Sequence, residues 1–212
     1  MTISAEALKP RVRTPRKKTV DVPPYLVYET LGGVPVFYKG WQNVITGKQK
    51  LEEIMGYGDI QLYLVNLLKD YFQPIFGKEY WVWSGEAGLH IAHGSNPSLD
   101  FIIVPKSAFS LKNAKNKYIN TPPKVVIEVD TKADTDTLSF SEDGYYMTKT
   151  QTLLDFGVSE VIWIYTQFKK VLVAKPNQPW LTVNWTDEIE IMGHSFTIQS
   201  MIDSFEPAHE QE

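Results

Sequence analysis

The run Lys124-Val125-Val126-Ile127-Glu128-Val129-Asp130 sets two carboxylates among β-branched apolar residues. It opens after Pro122-Pro123 and reads as a strand buried on both faces. Side chains alternate along a strand, so Val126, Glu128 and Asp130 should share one face and Val125, Ile127 and Val129 the other. Two carboxylates stacked at the end of a buried strand repel each other, so a cation, a metal ion or a proton must compensate them. Asp100 and Lys149 could complete such a site. Asp100 opens the apolar strand Phe101-Ile102-Ile103-Val104 after the turn Gly94-Ser95-Asn96-Pro97, on a segment expected beside the central strand. Lys149 falls on the apolar side of a helix over 141–156, three or four residues from Tyr145, Tyr146, Thr152 and Leu153 and two turns from Phe156. A lysine there either snorkels to water or meets the carboxylates. If Asp100, Glu128 and Asp130 converge, an oxygen-only cluster of this kind suits Mg2+ or Mn2+, which keep waters and accept phosphate oxygens. The lysine would then stabilise charge developing on an attacked phosphate or position the attacking water.

These residues need a scaffold, and the chain supplies one from Tyr25 onward. Tyr25–Glu29 begins a strand or short helix, Gly32-Gly33 breaks it, and Val34–Tyr38 returns across a hairpin. A short helix is expected over Lys50–Met55. A longer one runs from Asp59, as cap, to about Phe72, with Ile60, Leu64, Leu67, Leu68 and Tyr71 as its stripe and Pro74 as its stop. Gln61 lies at the border of that stripe. Strands are expected at Tyr80–Trp83 and Leu89–Ala92, split by Gly85 and Gly88, and then at 101–104 and 124–130. Lys106 to Asn120 is a basic loop or frayed helix with four lysines and no acid. Ser141 caps the helix that ends at Gly157. Further strands follow at Glu160–Tyr165, Lys170–Ala174, Trp180–Trp185 and Ile189–Met192, and a short helix lies within 194–203. A strand–helix–strand unit from 124 to 165 implies a parallel pair inside a mixed α/β sheet.

Composition narrows the class. The 212 residues are 43% hydrophobic and 13% aromatic, enough for one sizeable core, so one domain is expected over 25–205, with a short tail at 206–212. The absence of cysteine excludes disulfides, thiolate zinc sites and a thiol nucleophile. No apolar run reaches membrane length and no secretory signal is visible, so a soluble, cytoplasmic protein is expected. Residues 1–24 hold Lys9, Arg11, Arg13, Arg16, Lys17 and Lys18 against Glu6 and Asp21, and read as a flexible basic arm. Of the chain's 21 basic and 25 acidic residues, 15 and 23 then belong to the body, a formal charge of about −8.

Asp100, Glu128-Val129-Asp130 and helical Lys149, in that order, resemble the dispersed active-site signature of the PD-(D/E)XK nuclease superfamily. Within it the chain is similar to the Uma-two group of restriction-endonuclease-like proteins, a domain of unknown function. The likeness rests on Tyr28-Glu29 followed by Gly33, Ser98-Leu99-Asp100, Pro122-Pro123 before a strand ending in Glu128, Lys149 ahead of Gly157-Val158, and Glu160-Val161-Ile162-Trp163. It spans residues 25 to 203.

The resemblance implies a restriction-endonuclease-like mixed sheet flanked by helices, with additional antiparallel strands. It implies Asp100 and Glu128 as metal ligands, Lys149 as the migrated catalytic lysine and Glu29 as an additional acidic member. Asp130 stands where the superfamily's usual lysine would be and could add a ligand, with Lys132 as the substitute lysine. The implied activity is Mg2+- or Mn2+-dependent hydrolysis of DNA, with DNA as partner and a homodimer allowed. The alternative is a nuclease-fold protein that binds or assembles without cutting, which the acidic body favours. A two-carboxylate sugar hydrolase would need an open groove and no lysine between the acids. Glu86, His90, His93, His194 and His209 show no ligand spacing and read as surface or satisfied polar residues. No phosphate-binding glycine loop, serine elbow or His-Glu-x-x-His helix occurs.

Overall fold

The β-branched runs assemble into a six-stranded sheet in the order β3-β4-β5-β6-β7-β8. Its members are β3 (Tyr80–Gly88), β4 (Ser98–Pro105), β5 (Val125–Val129), β6 (Glu160–Tyr165), β7 (Lys170–Ala174) and β8 (Leu181–Asn184). This is a computed structural model describing residues 22–135 and 142–206. The expected arm up to residue 21, the tail from 207 and the Ser141 cap lie outside the described residues. Every residue of β5 is buried, Glu128 included, as a largely β-branched strand covered on both faces requires. β5 and β6 are parallel and every other neighbouring pair is antiparallel. The crossover between the parallel strands carries α4 (Glu142–Phe156).

Each face of the sheet carries its own core. On one, Leu64, Leu68 and Phe72 of α3 (Asp59–Phe76) cover Phe101, Ile103, Ile127 and Val129. On the other, Tyr145 and Leu153 of α4 join Leu31 and Val36 over Leu99, Ile102, Val126 and Trp163. Leu31 and Val36 come from the hairpin of β1 (Val27–Leu31) and β2 (Val34–Phe37), whose turn residues Gly32 and Gly33 have φ of 55° and 82°. A two-residue hairpin turn with both φ positive strongly favours glycine. A second hairpin, β9 (Ile189–Ile191) and β10 (His194–Phe196), leads into α5 (Ile198–Asp203), which Thr197 and Ser200 cap reciprocally. The short helices α1 (Trp41–Ile45) and α2 (Glu52–Met55) connect β2 to α3. Among the described residues no helix is long and apolar enough to cross a membrane.

Several local expectations differ. The strand expected at Tyr80–Trp83 runs on as β3 to Gly88, because a bulge between Ser84 and Ala87 absorbs the irregularity at Gly85, whose φ is 117°, whereas the strand expected at Leu89–Ala92 is absent, with only isolated bridges from Leu89 to Ile119 and from Ala92 to Ser95. Pro74 does not stop α3, which runs to Phe76; a proline in the last turn forfeits a single hydrogen bond. Gly58 occupies the cap position and Asp59 the first turn, where its Oδ1 accepts from the Ile60 N–H at 2.7 Å. Ile60 is exposed, and Gln61 takes a buried place on the helix face. Helix α1 has no counterpart among the expected elements; at five residues it is too short to show a period.

Candidate active site

Strand pairing brings the acids together. β4 and β5 run antiparallel with Phe101 opposite Ile127 and Ile102 opposite Val126, so the next step of the ladder sets Asp100 against Glu128. Both are buried, at 2% and 1% exposure. Lys149 arrives from α4 fully buried. The helix is pinned to the sheet beside it, where Trp163 Nε1 of β6 donates to Thr150 Oγ1 at 2.8 Å.

Lys149 Nζ lies 3.2 Å from Glu128 Oε1 and 3.0 Å from Glu29 Oε2, and it donates to the Ser98 carbonyl at 2.8 Å. It does not snorkel; the rings of Tyr28, Tyr145 and Trp163 surround it with centroids at 5.8, 5.9 and 5.5 Å. Glu29, at the core side of β1, is held from two directions. Its Oε1 accepts from the Tyr145 hydroxyl at 2.7 Å, and its Oε2 from the Ser98 N–H at 2.9 Å. One carboxylate thus ties hairpin, α4 and β4 around the lysine.

Asp100 is oriented separately. Its Oδ2 accepts from the Val129 N–H and from Gln61 Nε2, both at 3.0 Å, while the same Gln61 amide donates to the Val129 carbonyl at 2.9 Å. Gln61 therefore belongs to the site's supporting shell. The signal for it was present: a lone polar residue among Leu64, Val65 and Leu68, at the spacing that faces the core. Tyr145 shares Lys149's helix face but carried no sign that its hydroxyl would hold Glu29.

Asp130 does not stack on Glu128. Its φ of 53° takes it out of strand alternation, and its carboxylate turns to Thr166, accepting from the N–H at 2.9 Å and the hydroxyl at 2.6 Å. Lys132 also points elsewhere: it pairs with Glu86, donates to the Met55 carbonyl at 3.0 Å and sits 3.9 Å from the centre of the Tyr57 ring. Glu86 is thus an ion-pair partner rather than a purely solvated residue. His90 binds Asn96 through a 2.6 Å Nδ1···Oδ1 contact, and His194 meets the Tyr71 hydroxyl at 3.1 Å.

The electrostatics follow from burial. Desolvation pushes the Glu128 carboxyl well above the ordinary range, reinforced by Asp100 and Glu29 and opposed by Lys149. Asp100 is also raised by burial, against the lowering effect of the Val129 N–H, Lys149 and Gln61. For Lys149 burial alone favours the neutral amine, but Glu128, Glu29 and Tyr28 together outweigh it and raise the ammonium's pKa. The ammonium form is favoured on Lys149, and burial weighs against charge on Glu128.

Asp100 Oδ1 is buried without a well-formed hydrogen bond, although the Tyr57 hydroxyl interacts with the same carboxylate, and Glu128 Oε1 is buried with the Lys149 ammonium 3.2 Å away as its partner. Two hard oxygen donors from adjacent strands fit a small divalent cation that takes its remaining ligands from water or substrate. Among the described residues no group of three or more His, Asp or Glu side chains gathers as a metal cage. Of the three carboxylates expected as ligands, Asp100 and Glu128 lie on adjacent strands, while Asp130 turns away to Thr166.

No family model and no curated protein matches the chain. Five chains of solved structure do. One is described as "a putative nuclease belonging to DUF820 from Anabaena variabilis ATCC 29413"; it superimposes with a TM-score of 0.59 over 82% of this chain and 89% of that one, at 12% sequence identity. The mixed six-stranded sheet with its flanking helices and extra antiparallel hairpins is therefore a nuclease-like fold.

Proposed function

We propose that this protein is a metal-dependent endonuclease that hydrolyses DNA phosphodiester bonds. The observation that carries the reading is the meeting of two buried carboxylates, Asp100 and Glu128, on adjacent strands beside a buried, ion-paired Lys149. Likeness of fold to a nuclease of the description above supports it. Asp100 and Glu128 would hold Mg2+ or Mn2+. When bound, the ion supplies Lewis-acid polarisation of the scissile phosphate.

The remaining roles belong to the chain itself. Lys149 presents fixed positive charge to the oxygens on which negative charge develops, and being already desolvated it needs no reorganisation. Glu29 and the Ser98 carbonyl aim the lysine; Gln61 and the Val129 N–H aim Asp100 through its Oδ2.

Purified protein with plasmid DNA and Mg2+ or Mn2+ tests the reading. Cleavage should vanish with a chelator and fall at least about 100-fold in Glu128→Gln and in Lys149→Met, with folding checked by circular dichroism. Mn2+ should also raise the melting temperature of the parent protein and not of Glu128→Gln. Cleavage that survives the chelator or both substitutions would overturn the assignment.

A second reading, a nuclease-fold protein that binds nucleic acid or assembles with partners without cutting, is favoured by the near-complete burial of all four site side chains. It expects binding without cleavage in any divalent metal, and no thermal shift with Mn2+.

A further inference from the structure

β3 and β4 carry a second feature that the acidic cluster does not use. Past Val104 the chain runs through two single 3-10 turns, Lys106–Ala108 and Leu111–Asn113, before returning to the sheet at Ile119. Between Lys106 and Asn120 it holds four lysines and no carboxylate, on a body whose other charges are mostly negative. The segment is fastened at both ends. Trp81 Nε1 donates to the Phe109 carbonyl at 3.1 Å; Ile119 N–H donates to the Gly88 carbonyl at 2.9 Å, and His90 N–H to the Ile119 carbonyl at 2.7 Å.

Between these fastenings opens a groove of about 770 Å³, with Trp83, Phe109, Tyr118, Lys115 and Lys117 among its walls and no acidic side chain in them. Its aromatic faces are held in place. The Tyr118 ring lies directly on Gly88, where an added Cβ would come within 2.6 Å of it, yet Tyr118 remains 60% exposed. One side of the ring is therefore seated on bare backbone while much of the rest meets solvent. Trp83 stacks with Trp81 at 6.0 Å and 14°, and Phe109 meets it edge-on at 5.0 Å.

We propose that this groove binds unpaired nucleotides of a single-stranded nucleic acid, with bases stacking on Tyr118 and Trp83 and phosphates meeting Lys115 and Lys117. Supported aromatic faces beside cations, without carboxylates, are what a single strand requires; a duplex hides its base faces, and an acidic peptide would use the lysines but not the rings. Position agrees with this. β4 carries Asp100 and, four residues on, Val104 in the groove wall, a separation of about 13 Å at strand rise. A strand engaged at the acidic cluster would thus have its flank within reach. The inference deepens the nucleic-acid reading above and rests on it.

The full chain is titrated, in chelator, into fluorescein-labelled oligo-dT and oligo-rU of about 12 nucleotides and into a duplex of equal length. Single strands should bind more tightly than the duplex. Tyr118→Ala should weaken single-strand binding about tenfold, and Gly88→Ala, which displaces the ring while leaving the lysines, should do the same. Lys115→Ala/Lys117→Ala should reduce the slope of log affinity against log salt by about 1.4. Binding unchanged in all three variants, equal affinity for duplex, or displacement by a poly-glutamate peptide would overturn the proposal. Cleavage assayed on the same preparations separates the two readings. Metal-dependent cutting with no effect of Tyr118 overturns the groove alone; Tyr118-dependent binding with no cutting in any metal supports the groove and overturns the nuclease.

Discussion

Replacing Lys149 by methionine removes the one positive charge held between Glu29 and Glu128 while keeping most of the side chain's volume. Both carboxylates are nearly solvent-free, so neither can turn to water for compensation. The least costly response is uptake of one further proton by the cluster. From the ordinary glutamate value of 4.5, that costs about 1.36 kcal/mol per pH unit, or about 4 kcal/mol at pH 7.5 and about 1.4 kcal/mol at pH 5.5. The first figure falls within the 3–5 kcal/mol typical of breaking a buried ion pair from one side. The sign follows from linkage. A carboxyl whose folded pKa is raised binds more protons in the native state, so its contribution is present below the unfolded value and is lost as pH rises through the folded one. Losing Lys149 raises Glu128 further and widens that window upward. Urea denaturation of Lys149→Met and the parent at several pH values would measure this, with destabilisation growing by about 2.7 kcal/mol between pH 5.5 and 7.5. A difference below about 1 kcal/mol at pH 7.5, or one that does not change with pH, would refute the buried-cluster account.

Other perturbations read the supporting groups. Gln61→Leu leaves the Val129 carbonyl without its side-chain donor and Asp100 Oδ2 with the Val129 N–H alone, and should cost about 1–3 kcal/mol in chemical denaturation. Asp130→Ala should lose about 1–3 kcal/mol by stripping Thr166 of its acceptor, and should leave any Mn2+-induced thermal shift intact. A shift that disappears in that variant would return Asp130 to the ligand set.

Much of the fold could be read from apolar patterning. The β-branched run at 125–129, interrupted only by Glu128, and the similar run at 160–165 required strands covered on both faces, and the helical period between them implied a parallel crossover; all three are present. The hairpin was legible from Gly32-Gly33, because positive φ at both turn positions is a local demand. Errors fell where a local rule met a tertiary one. Gly85 reads as a strand break, yet pairing with β4 on both sides carries β3 past it as a bulge. Pro74 reads as a stop, yet it falls in the last turn of α3, where little is lost.

The candidate site divides in the same way. Residue type and alternation alone nominated Asp100, Glu128 and Lys149, because a carboxylate in a buried strand and a lysine on an apolar helix face are costly to leave without partners. Only the folded chain decided which partners they took. Asp130 obeys strand alternation on paper, but its backbone turns into the left-handed region one residue after β5 ends and gives its oxygens to Thr166. Gln61, 39 residues from Asp100, binds it because helix α3 packs across the sheet face where that carboxylate ends. Periodicity reports which way a side chain points relative to its own element; which side chains meet depends on how separate elements pack, and that is a property of the whole chain.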